Sequence, residues 1–217
     1  MQFKFYGDRE DYQALTGGNR KRIPVDIIRG HSDPFFNECR DYGRLIDENL
    51  NGKVAVRCYG YATIPAEREE ELKRKFEIDN WKRPGNEYAK APHRRQPFRA
   101  IIKDLIIEDV PFTEKVAKKM LNDLRRMRRV GVYPMDVQTR NYKNGILIDF
   151  SVALTPPHYL FATMPLWRVR GYKRDDLVSW QSLVKEQGIL TWERAVRNPE
   201  YCKKLRSQNS KKKGPGN

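Results

Sequence analysis

Apolar positions along this chain switch between a helical period and a strand period, and the switches mark out its elements. Over residues 34–50, Phe35, Cys39, Tyr42, Leu45, Ile46 and Leu50 fall near helical spacing, which predicts a helix with Asp33 as N-cap and Pro34 in its first position. Residues 53–61 (KVAVRCYGY) and 98–108 (FRAIIKDLIIE) are dense in β-branched and aromatic side chains and predict strands. The clearest helix spans 111–130. There Phe112, Val116, Met120, Leu124 and Met127 make one continuous stripe, Thr113 is the N-cap, and Gly131 is the stop. A loop over 132–140 follows, then a hairpin turning at Asn144-Gly145, the strongest short-range signal for such a turn. Leu177, Trp180, Leu183 and Val184 predict a last helix near 175–187. Residues 3–6 read as a short strand and 7–33 as a polar loop. The charged, proline-rich block 65–97 reads as a surface insertion with a helical start, and the tail 207–217 as disordered.

Charge adds a bias in the choice of partner. Lys and Arg number 43 against 28 Asp and Glu, a net charge of +15, which draws nucleotides, nucleic acid or acidic protein surfaces. Arg125, Arg126, Arg128 and Arg129 crowd the end of the long helix, where a solvated face suits the helix dipole. Cys39, Cys58 and Cys202 are sparse and unpaired in spacing, which fits a reducing compartment, and the three histidines show no zinc spacing. The first residues carry no signal-peptide pattern, and no apolar run reaches the ~20 residues of a membrane helix. A soluble intracellular protein, cytoplasmic or nuclear, is expected.

The chemistry is concentrated in GVYPMDVQTRNYKNGILIDFS, residues 131–151. Asp136 and Asn141 lie five apart, and the hairpin returns Asp149 towards them, so two carboxylates and an amide are expected to converge. Oxygen donors grouped in that way suit Mg²⁺ together with substrate phosphates.

This segment resembles the catalytic region of protein kinases and their small-molecule kinase relatives, where Asp, four residues and Asn precede a hairpin and an Asp-Phe-Gly. The resemblance implies Asp136 as catalytic base, Asn141 and Asp149 as metal ligands, and Glu38 paired with Lys4 as the cofactor-binding ion pair, with ATP and Mg²⁺ as cofactors. It implies an α+β, protein-kinase-like fold over residues 1–206, with a small sheet-rich lobe (1–108) and a reduced helical lobe (109–206). NECRDYGRL, VAVRCYGY and GILIDFSVALTPPH further resemble the fungal Fta-two-like family, named for a kinetochore Sim-four complex subunit. That likeness implies a nuclear, kinetochore-type protein partner.

The pattern is incomplete. The chain starts at the position of the third kinase strand, so the glycine-rich loop is expected to be missing. Pro134-Met135 replaces the His-Arg before the catalytic Asp, Ser151 replaces the Gly after Asp-Phe, and only 66 residues follow Ser151. The reading placed first is therefore a pseudokinase or interaction module. An active ATP- and Mg²⁺-dependent phosphotransferase comes second, and a nucleic-acid or chromatin binder acting through the basic surface third.

Overall fold

The computed structural model describes residues 23–77, 89–107, 110–189, 191 and 193–196. The expected strand at 3–6 and the tail at 207–217 lie outside them. The first described element is a helix, α1 (Val25–Ser32), where the polar sequence predicts loop. Its stability is tertiary: Ile28 is buried against Tyr159, with Ile23 and Leu160 packed around the pair. Next is α2 (Pro34–Asp47), which starts as predicted. The Asp33 carboxylate accepts a hydrogen bond from the Phe35 amide at 2.9 Å, and Pro34 occupies a position where no N–H is needed.

Strand β1 (Cys58–Ile64) begins later than its apolar pattern suggests. Val54, Ala55 and Val56 are all buried and cross the core instead of joining a long strand. Ala55 bridges Leu147 in parallel, and the Val56 amide donates to the Leu147 carbonyl at 2.8 Å. The charged block then forms α3 (Glu69–Phe76). This block is more than a solvated insertion, because Glu69 is buried and forms a 2.9 Å ion pair with Arg95. Strand β2 (Phe98–Lys103) pairs antiparallel with β1, Tyr61 facing Ile101, and stops at Lys103 short of the predicted end.

The long helix α4 (Glu114–Arg129) follows its stripe closely. Thr113 Oγ1 accepts from the Val116 amide at 3.3 Å, Met120, Leu121, Leu124 and Met127 are fully buried, and Gly131 closes the end with φ of +83°. Its arginine cluster departs from the expected solvated face. Arg128 turns inward to Asp176 at 2.5 Å and also donates to the Lys173 carbonyl. Arg125 meets Glu193 at 3.5 Å and Arg126 meets Asp123 at 3.6 Å.

Strands β3 (Tyr142–Lys143) and β4 (Ile146–Leu147) form the predicted hairpin. Asn144 and Gly145 carry φ of 53° and 68°, the left-handed pair that a two-residue turn needs to match strand twist. Helix α5 (Tyr159–Thr163) leads into α6 (Leu166–Glu186), which begins well before residue 175. The extra turns hide from a periodicity reading because Val169 is the one residue buried in them. Trp180, fully buried, donates from Nε1 to the Ala117 carbonyl at 3.0 Å and locks α6 onto α4. The result is an α+β arrangement with two small antiparallel sheets, in which α2, the 54–58 segment, α4, the hairpin and α6 share one core.

Candidate functional site

Residues 148–156 leave the hairpin and run along α2, and one largely buried face of α2 carries the groups that hold them. Asn37 Nδ2 donates to the Ser151 carbonyl at 3.0 Å, Thr155 Oγ1 donates to the Asp41 carboxyl, and Arg44 donates to the Pro156 carbonyl at 3.3 Å. Positions 37, 41 and 44 are spaced by four and three, so one face of the helix makes all three contacts. Phe150 is fully buried and meets the Tyr42 ring edge-on, with centroids 5.2 Å apart.

Glu38 lies about a quarter turn round the helix from that face, and the ammonium it meets belongs to Lys103 at the end of β2, 2.7 Å away. Lys4, expected from the sequence to fill this position, lies outside the described residues. Lys103 Nζ also donates to the Ile148 carbonyl at 2.8 Å and sits 5.9 Å from the centre of the Tyr42 ring. Burial raises the Glu38 carboxyl above its usual range, Lys103 pulls it back, and the facing Asp149 carboxylate raises it further. Three charges from α2, β2 and the end of the hairpin thus meet at one point. β2 is aimed at α2 by a second contact: Arg99 pairs with Asp33 at 2.6 Å and lies over the Phe35 and Phe36 rings at 4.7 and 4.8 Å.

The loop residues make a second group. Asn141 Nδ2 donates to the Asp136 carbonyl at 2.9 Å, so these two do come together, although through the amide and the backbone. The Asp136 carboxylate is held by Arg140 at 2.9 Å. Met135, just before it, takes φ of +65°, a left-handed conformation unusual for a long side chain. Ile148 joins the two groups: its amide donates to the Asn141 carbonyl at 2.9 Å, and its carbonyl accepts Lys103. Asp149, next in the chain, accepts from the Ser151 amide at 2.7 Å.

Taken as a Mg²⁺ site, this set fits poorly. Among the described residues no three His, Cys, Asp or Glu side chains cluster as metal ligands. The Asp149 carboxylate already accepts from the Ser151 amide, and the Asp136 carboxylate faces Arg140. An ion would have to displace these partners to gain its oxygens.

The family model of the kinetochore Sim4 complex subunit FTA2 matches residues 2–154. The chain belongs to this family. The match takes in Glu38, Lys103, Asp136, Asn141 and Asp149, and ends just before Thr155 and its bond to Asp41. Membership agrees with the resemblance of the three motifs on α2, β1 and the hairpin exit. No curated protein and no solved structure matches the chain. Among the described residues no helix is long and apolar enough to cross a membrane.

Lys103 is the residue that sequence reasoning missed. Its signal was available: Arg99, Ile101 and Lys103 alternate along β2, so the face that brings Arg99 to Asp33 also brings Lys103 to α2.

Proposed function

We propose that this chain is a non-catalytic interaction module of a kinetochore-type protein complex, with a kinase-like arrangement kept as a scaffold. The observation that carries this reading is the internal satisfaction of the site. The Asp136 carboxylate is held by Arg140, the Asn141 amide by the Asp136 backbone, and Asp149 by Ser151. Phosphoryl transfer relies on positioning and on groups aimed at developing charge. Groups engaged with one another serve cohesion instead. Pro134-Met135 and Ser151, at the positions of His-Arg and Gly in the kinase pattern, support the same reading. Family membership supports a place in a protein complex, and with it a nuclear setting.

The test pairs a thermal-shift titration with ATP and Mg²⁺ against an autophosphorylation assay. The expected outcome is no shift in melting temperature and no incorporated phosphate. A stabilisation lost in Asp149→Ala, together with phosphate transfer lost in Asp136→Ala, would establish an active phosphotransferase instead.

A further inference from the structure

The first turns of α6 carry a surface that the core does not use and that lies beyond the span matched to the family. Val169, Asp176, Trp180 and Leu183 mark the buried side of this helix. At 100° per residue the opposite side carries Trp167, Arg170, Gly171 and Arg174, positions i, i+3, i+4 and i+7. Trp167 is 73% exposed and the adjoining Leu166 75% exposed. A Cβ at Gly171 would meet nothing within 4 Å, so the ground between Trp167 and Arg174 is open. Among the described residues, Arg168, Arg170 and Arg174 have no carboxylate partner, in contrast to Arg125, Arg126 and Arg128 of α4.

We propose that this Trp167–Arg170–Arg174 ridge docks an acidic segment of a partner protein, a proposal that rests on the interaction-module reading and names the chemistry of its partner. Charge complementarity identifies the occupant: Arg170 and Arg174, without a carboxylate partner among the described residues, share the face of exposed Trp167, beside exposed Leu166, on a chain of net charge +15. Trp and Arg dominate the energetics of protein interfaces, whereas Lys is depleted there, and the outward ridge carries Arg and no Lys over its first two turns. The ridge is short, about 10 Å from Trp167 to Arg174. Val178 continues it, an apolar contact that suits a peptide better than a run of phosphates.

The experiment uses the full chain, tagged and expressed in its own host, with a photo-cross-linking residue placed at position 167 in one version. The wild-type chain is expected to recover stoichiometric protein partners, with the cross-link on a segment rich in Asp and Glu. W167A/R170E/R174E should recover those partners about tenfold less well with an unchanged circular dichroism spectrum. Reversing the charges of the cross-linked segment should restore recovery. If the triple variant loses its fold, R170E/R174E makes the same comparison with the Trp in place. Full recovery by a folded variant overturns the ridge while leaving the module reading intact. A cross-link to DNA or RNA, or recovery abolished by nuclease, overturns it in favour of nucleic acid. A wild-type chain that recovers no partner defeats the module reading and the ridge together.

Discussion

At Lys103 one ammonium faces the Glu38 carboxylate, the Ile148 carbonyl and the Tyr42 ring, with Asp149 just behind. Lys103→Met would leave two carboxylates facing each other in a partly buried site with no counter-charge among the described residues. Removing one member of a buried pair costs about 3 kcal/mol, and that loss is expected in urea unfolding of the variant. Adding Glu38→Gln should recover part of it, since the amide needs no cation. Independent, additive losses in the double variant would show that the two side chains are not coupled. The pairing was only half legible in the sequence. Glu38 follows from its place on the helix after Pro34, but its partner lies 65 residues away and is selected by strand register. Asp41 and Thr155, 114 residues apart, were invisible for the same reason.

Among the elements, the hairpin offers the sharpest test. Gly145 combines φ of +68° with a close approach to α4, where an added Cβ would come within 2.8 Å of Val116 Cγ1. Gly145→Ala is expected to cost about 2 kcal/mol in denaturant unfolding, from backbone strain and crowding together. Val116→Ala in the same chain should relieve the crowding and leave the strain. If the double variant is no better than the sum of its parts, the contact is not what limits the site. This hairpin, α2 and α4 were legible because their signals are local: a turn dipeptide, a cap with Pro, a stripe ended by Gly. The first part of α6 and all of α1 were not, since each is held by one buried residue, Val169 or Ile28, too few to set a period. Strand β1 was misplaced at its start because a buried crossing segment and a buried strand share one composition.

For the molecule as a whole, two sets of buried groups set opposing pH dependences. Burial pushes the Asp41 carboxyl up to about 8, against the bonds from Thr155 and the charge of Arg40, and lifts Asp176 to about 6 despite Arg128. The fold binds these protons more tightly than the open chain does, so their stabilisation is complete at acid pH and is lost as pH rises. His158 is the reverse. Burial and the neighbouring His31 depress its imidazole to about 4, so stability is lost as pH falls from about 6.5 towards 4. Between pH 6.5 and 8, Asp41 remains the dominant titrating group of these three, and the melting temperature is expected to fall across that interval. The slope can reach about 1.4 kcal/mol per pH unit. Asp41→Asn should flatten it there and, by removing the opposing Asp41 slope, steepen the rise in stability between about pH 4 and 6.5. A slope unaltered by the substitution would assign the effect to other groups.

Leu147 belongs to two ladders at once, facing Tyr142 across the hairpin and Ala55 in the crossing segment. Neither neighbour can peel away without exposing the strand they share, so the 54–56 segment and the hairpin should unzip as one cooperative unit. The amide of Val56 donates to Leu147 and that of Ile148 to Asn141, on opposite flanks of this strand. In native-state hydrogen exchange the two protons should therefore leave at closely matched rates with the same urea dependence, although 92 positions separate them in the chain. What lies remote in sequence would then behave, to solvent, as a single latch.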